Sequence, residues 1–202
     1  SVTFSGDVNG DGRVDMVIGA PYALERKGQA YVLFGQMSYA SVVNLNSLNG
    51  TNGFRIEGHE PNAEAGTAVG AADVNGDGLD DVIVGASAAG TGSDRFAGAT
   101  YIIMGKNAFP SSISLGSLGT GDIRLNGETA GHQAGQTISK AGDINGDGFD
   151  EVLIGAPNAG PGVKSELGYV YVLQGGPTLG VESPVTHPGT PSDNVLTGTQ
   201  GA

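Results

Sequence analysis

Short apolar runs, bounded by glycine-rich polar stretches, recur along the whole 202-residue chain. One set comprises Met16-Val17-Ile18, Val82-Ile83-Val84 and Val152-Leu153-Ile154, each ending in Gly-Ala-Pro or Gly-Ala-Ser. A second set is Gln29 to Gly35, Ala99 to Gly105 and Tyr169 to Gly175. These runs are rich in β-branched and aromatic residues and are punctuated by turn formers, the pattern of short β-strands. A small-residue strand precedes each acid-rich loop, at Val2 to Gly6, Thr67 to Gly70 and Thr137 to Lys140. A fourth strand is expected at Gly53 to Gly58, at Asp122 to Gly127 and at Asn194 to Gly198.

The four-strand unit therefore repeats, with acid-rich loops starting 66 and then 70 residues apart. Repeats of this length mark a stacked or circular architecture, in which each unit buries its apolar face against the next. The periods run over residues 1–66, 67–136 and 137–202. Polar links from His59 to Gly66 and from Glu128 to Gly135 join them. Variable stretches, such as Ala88 to Phe96 and Asn107 to Thr120, lie between the second and fourth strands, where recognition is commonly carried in repeat proteins. The chain opens already inside this pattern, so we expect it to be a segment of a longer array.

Composition sharpens this reading. There are 37 glycines, no cysteine and no tryptophan, and 15% of residues are charged. Glycine at this level without a triplet period, interleaved with β-branched runs, fits turn-rich β structure and neither collagen nor a disordered segment. The formal charge is -12, yet eleven of the 21 acidic residues sit in the three loops. The acidity is thus largely local, and nothing basic is offered to nucleic acid or to an anionic membrane. No apolar run is long enough to suggest membrane insertion.

The loops read Asp7-Val8-Asn9-Gly10-Asp11-Gly12-Arg13-Val14-Asp15, then Asp73-Val74-Asn75-Gly76-Asp77-Gly78-Leu79-Asp80-Asp81, then Asp143-Ile144-Asn145-Gly146-Asp147-Gly148-Phe149-Asp150-Glu151. Oxygen side chains at loop positions 1, 3, 5 and 9 converge only if the chain coils around a common centre, and glycine at position 6 permits the backbone this needs. Such closely spaced carboxylates repel one another unless a hard cation neutralises them, and calcium takes six to eight oxygens of these kinds. Position 12 of an EF-hand loop is a bidentate Glu, whereas Ile18, Val84 and Ile154 stand there. A β-type run, not an amphipathic helix, follows each loop. Simple turn formation explains one such loop; three in register are read as calcium loops.

With these residues in hand the chain resembles FG-GAP repeats, the β-propeller blades of integrin α-subunit heads and of many bacterial surface proteins. The namesake pieces are Phe34-Gly35 with Gly19-Ala20-Pro21, and Gly155-Ala156-Pro157. Met104-Gly105, Gly85-Ala86-Ser87 and Gln174-Gly175 depart from the pattern but keep its glycines. The resemblance implies an all-β fold of three four-stranded antiparallel blades, forming an arc or half of a ring. The calcium loops would join the first two strands on one face, and ligands would engage the other. It also implies side-chain ligands at positions 1, 3, 5 and 9 and a carbonyl ligand at position 7, with about one Ca2+ per repeat. Those residues are Asp7, Asn9, Asp11, Arg13 and Asp15; Asp73, Asn75, Asp77, Leu79 and Asp81; and Asp143, Asn145, Asp147, Phe149 and Glu151.

Catalytic signatures are not apparent: there is no Gly-x-Ser-x-Gly, no His-Glu-x-x-His and no phosphate-binding glycine loop. The expectation is a non-enzymatic, calcium-binding module for adhesion or protein interaction, extracellular or at a cell surface, with a protein or glycan ligand. The alternative is the non-catalytic propeller part of an extracellular hydrolase or lyase. Since propellers close with typically about four to eight blades, three blades also raise the prospect of a homodimer closing a six-bladed ring.

Overall fold

The computed structural model describes residues 1–4, 6–90, 92–160, 168–177, 179 and, for the backbone only, 197–200. The first period forms β1 (Val2–Phe4), β2 (Met16–Ala20), β3 (Gln29–Leu33) and β4 (Gly53–Glu57). The second forms β5 (Val69–Ala72), β6 (Asp81–Ala86), β7 (Ala99–Ile103), β8 (Ser112–Ser114) and β9 (Ile123–Asn126). β10 (Thr137–Gly142), β11 (Glu151–Ala156), β12 (Tyr169–Leu173) and β13 (Thr197–Gln200) follow. Apart from the run expected at Asn194 to Gly198, each β-type run found in the sequence overlaps a strand, and the acid-rich loops join β1 to β2, β5 to β6 and β10 to β11.

Within the blades, β1 to β4, β5-β6-β7-β9 and β10 to β12 each pair antiparallel in that order. The register repeats: Ile18 faces Tyr31, Val84 faces Tyr101 and Ile154 faces Tyr171. The innermost strands lie side by side, β5 resting against both β1 and β10. Two apolar layers hold the array together. One interleaves Val17, Val32 and Phe54 of the first blade with Val82, Val84 and Tyr101 of the second. The other sets Ile83 and Ile102 against Val152, Ile154 and Tyr171. The core therefore sits between blades, as expected where no single repeat can bury its own sheet.

The namesake glycines follow from this packing. A Cβ on Gly85 would stand 2.0 Å from the carbonyl oxygen of Gly135, and one on Gly19 would stand 2.1 Å from that of Gly66. The blade-to-blade links press directly on strand two there. Backbone bonds secure the contact, Gly66 N–H donating to Gly85 and Gly135 N–H to Gly155.

Two features differ from the sequence expectation. The variable stretch from Asn107 to Thr120 holds β8, which adds to β4 in parallel and makes the first sheet five-stranded, β1-β2-β3-β4-β8. The sequence places the strand expected at Asn194 to Gly198 in the third blade. Residues 194–196 lie outside the described residues, and β13 instead pairs antiparallel with β9 on the outer edge of the second blade. The third sheet is β10-β11-β12 among the described residues. In both cases chain from the following unit covers the outer edge of the preceding blade, because an unpaired strand edge is costly to leave open.

The array exposes apolar surface at both ends. Ile144 is 63% exposed, whereas its equivalents Val8 and Val74 are fully buried under the next blade. Val170 is likewise open, and its register equivalents Ala30 and Thr100 are buried. At the other end Phe4 and Val14 are exposed. Each end is thus one half of an interface that the chain builds twice internally.

Candidate metal centres

The three loops adopt one hydrogen-bond pattern. The position-1 carboxylate gathers three backbone N–H groups: Asp7 accepts from Gly10, Asp11 and Gly12 at 2.6–3.1 Å. Asp73 accepts in the same way from Gly76, Asp77 and Gly78, and Asp143 from Gly146, Asp147 and Gly148. The position-3 amide oxygens of Asn9, Asn75 and Asn145 accept from position 5. Asp11, Asp77 and Asp147 accept from the N–H of Arg13, Leu79 and Phe149. Glycines at positions 4 and 6 all take positive φ, between 73° and 93°, which lets consecutive N–H groups face one carboxylate.

Position 9 closes the loop onto the sheet. Asp15 accepts from Val8 N–H at 2.9 Å and from Gly35 N–H at 2.8 Å. Asp81 accepts from Val74 and Gly105, and Glu151 from Ile144 and, at 3.3 Å, from Gly175. The glycine of each Phe-Gly-type pair therefore tethers strand three to its own loop. The longer arm of Glu151 preserves both bonds. It also brings Asn145 Nδ2 within 3.3 Å.

Burial weakens the acidity of two of them, Asp15 and Asp81. Asp15 and Asp81 are fully buried. Desolvation is the largest influence on both; backbone N–H groups offset part of it, and the neighbouring loop carboxylates add to it. The results are about 6 for Asp15 and about 7 for Asp81, against an ordinary 3.8. A site that makes its own carboxylates this reluctant to ionise is short of positive charge.

The donor set fits a hard cation. All the expected side-chain ligands at positions 1, 3, 5 and 9 offer oxygen, and each set lies within one nine-residue loop. The carbonyl oxygens of Arg13, Leu79 and Phe149, expected as ligands, accept no hydrogen bond among the described residues. The carboxylates themselves are occupied by N–H donors, and among the described residues no three acidic or histidine side chains stand as a ready metal group. In the first loop Arg13 also stands 3.5 Å from Asp11, an exposed pair.

A pH dependence follows. In the calcium-free chain Asp15 and Asp81 bind their protons more tightly folded than unfolded. Stability is therefore highest below their unfolded value near 3.8 and falls as pH rises toward about 6–7. A divalent ion bound in these loops would hold both ionised and reverse the sign. Calcium-free chain should melt lower at pH 8 than at pH 5.5, and the gap to calcium-loaded chain should widen with pH. Equal gaps at both pH values, by thermal melts in metal-free and calcium buffers, would contradict this account.

The opposite end of the blades carries a different feature. A groove of about 520 Å³ is lined by Arg26, Asn62 and Glu64 of the first unit and by Gly90, Arg95 and Phe96 of the second. Arg26 pairs with Glu64. Arg95 stacks on Phe96 at 4.6 Å and has no acidic partner among the described residues. Leu24, Glu25, Arg26, Asn62, Glu64, Phe96 and Gln133 all take positive φ here, a concentration of backbone strain that non-glycine residues adopt where surroundings force it. The links from His59 to Gly66 and from Glu128 to Gly135 and the variable stretch from Ala88 to Phe96 were legible in the sequence, but no glycine flags the positive φ that their residues take.

Two arginines, Arg55 and Arg124, stand at the same place in the fourth strand of the first two units, facing Tyr31 and Tyr101. Arg124 meets Glu60 at 2.5 Å and lies over the Tyr101 ring, while Arg55 stands 3.6 Å from Glu57. Tyr101 and Tyr171 are buried. His132 is buried edge-on to Tyr169, and burial lowers its pKa; desolvation lowers that of His59 too, beside Glu60.

The stacked blades, with acid-rich loops at one end and variable loops at the other, define a repeat array of the β-propeller class. The sequence matches the FG-GAP repeat over residues 1–33, 65–103 and 134–173, more than half of its length, and the chain belongs to that family. It is 33% identical over 180 residues to human phosphatidylinositol-glycan-specific phospholipase D, covering 87% of this chain and 20% of that protein. It is 28% identical over 182 residues to Xenopus laevis integrin alpha-5, covering 88% and 15%. Against Drosophila melanogaster integrin alpha-PS2 it is 30% identical over 178 residues, covering 86% and 11%. The chain thus spans a fifth or less of these relatives. Among the described residues no helix is long and apolar enough to cross a membrane.

Proposed function

We propose that this chain is a calcium-stabilised propeller module serving adhesion or protein interaction at a cell surface or outside the cell. The observation that carries it is the threefold loop: fully buried carboxylates at Asp15 and Asp81, short of positive charge, inside an all-oxygen donor set repeated in register. Asp7, Asn9, Asp11, the Arg13 carbonyl and Asp15 would hold one ion, and the equivalent residues of the other loops would hold two more. Calcium supplies the charge those carboxylates need and closes a glycine-rich turn; extracellular modules bind it at roughly 10⁻⁴–10⁻³ M. A protein or glycan ligand would engage the face carrying Arg26 and Arg95. The similarity to integrin α chains supports this reading.

The similarity to a phospholipase D favours a second reading, in which the chain is the non-catalytic propeller part of an extracellular hydrolase or lyase. The two differ in what surrounds the module and share the calcium loops. Assembly is part of the proposal: the matched open ends support two copies closing a six-bladed ring.

Calorimetric titration of chelator-treated chain tests the metal reading. About three calcium ions per chain are expected, and a flat titration would overturn it. Sedimentation of the same samples tests pairing, for which a calcium-dependent dimer is expected and a monomer in both states counts against it.

A further inference from the structure

We infer that the position-8 aspartates, Asp80 and Asp150, are positioning residues for the loop of the preceding blade, so that cation binding is coupled from blade to blade. This rests on the calcium reading above and goes beyond it, since neither residue belongs to the expected ligand set. Asp150 sits in the third loop, yet its Oδ2 accepts the backbone N–H of Asp73 at 3.0 Å, and its own N–H donates to the Asp73 carbonyl at 3.0 Å. Asp73 is position 1 of the second loop, the carboxylate around which that loop is wound. Both backbone groups of one expected ligand are thus clasped by a residue 77 positions away.

The contact recurs one blade earlier. Asp80 N–H donates to the Asp7 carbonyl at 2.9 Å. Its carboxylate occupies the space over Gly6, where an added Cβ would meet Asp80 Oδ2 at 1.8 Å. Further bonds run the same way: Lys106 N–H to Val8 and Gly176 N–H to Val74. Phe149, position 7 of the third loop, covers Gly76, and Leu79 covers Gly10. Lys140 finally ties the two aspartates together, with Nζ 3.4 Å from Asp80 and 2.5 Å from Asp150. Position 8 of the first loop is Val14, which is exposed.

Coupling follows from this placement. The position-1 carboxylate can gather its N–H donors and a cation only if its backbone is fixed, and that backbone is fixed by the neighbouring loop. Ordering one loop therefore lowers the cost of ordering the other, and by linkage the effect is reciprocal. The polar groups involved are satisfied in both directions, so loss of the carboxylate leaves the Asp73 N–H without its acceptor.

The test uses the whole chain with two loops disabled. In a chain carrying Asp11→Ala and Asp147→Ala only the second loop remains, and calcium affinity is read by calorimetry. Adding Asp150→Ala, which removes the acceptor of the Asp73 N–H, should weaken that loop about fivefold or more, the lower end of ordinary coupling. In a chain carrying Asp11→Ala and Asp77→Ala, the same change should leave the third loop within about twofold, below the range of ordinary coupling. Asp150→Glu should restore the second loop in part. Asp80→Ala, read on the first loop alone, is the independent check should Asp150→Ala fail to fold. An unchanged second loop, or a loss confined to the third, overturns the inference while leaving the calcium reading intact. No binding in the unmodified chain defeats the calcium reading itself.

Discussion

Chelation is expected to lower the midpoint of thermal unfolding by about 10 °C relative to chain in excess calcium. Each loop that binds only the folded state adds about 1.4 kcal/mol when free calcium exceeds its dissociation constant roughly tenfold. Three loops add about 4 kcal/mol, and about 1 kcal/mol shifts a domain of this size by roughly 2–4 °C. The effect is large because a net stability of about 5–15 kcal/mol is typical. Disabling one loop by Asp77→Ala should remove a third of the calcium-dependent shift or more, since the second loop has neighbours on both sides. Scanning calorimetry with calcium and with chelator reads both values. Coincident transitions would sink the structural role assigned to the ion.

Phe109→Ala is the second large change, expected to cost about 3–5 kcal/mol as for other buried aromatics. Phe109 leaves β7 and returns to the first blade, where its ring stacks on Phe54 at 4.2 Å and 7°. Phe34 closes the cluster at 5.9 Å from each ring, and all three side chains are buried. The same residue anchors β8, whose neighbours bond to the β4 strand through Arg55 N–H to Ser111 and Leu115 N–H to Glu57. Amide exchange at Arg55 and Leu115 should therefore rise in the variant even below its melting range. Phe4→Ala, at a 76% exposed position, provides the contrast and should shift stability by less than about 0.5 kcal/mol. Equal costs for the two substitutions would show that the aromatic cluster does not hold the outer edge.

The blades were legible because their information is local. Alternating apolar positions, a Gly-Ala-Pro stop and a nine-residue acid-rich turn recur within each unit, and no long-range knowledge is needed to read them. Position 9 was legible as an oxygen donor but not as a buried one: the depth of Asp15 and Asp81 comes from Gly35 and Gly105, two strands away. β8 was missed because Ser112-Ile113-Ser114 carries too little pattern to stand apart from a loop. The place of β13 was misjudged because a strand's sequence states its propensity and not its partner. Similarly, Lys140 read as an ordinary strand residue until the fold set it between two aspartates from different blades.

The clasp of β8 on β4 also has a temporal side. A ribosome releases residue 57 well before residue 112, and at about 5–20 residues per second the interval is about 3–11 s. For that time the nascent first blade presents β4 as an unpaired edge, able to accept any passing strand. The second blade depends on β13 in the same way, across a longer stretch of chain. The first and second blades are therefore each sealed by the synthesis of the unit that follows, and the growing chain carries an unfinished edge forward as it emerges.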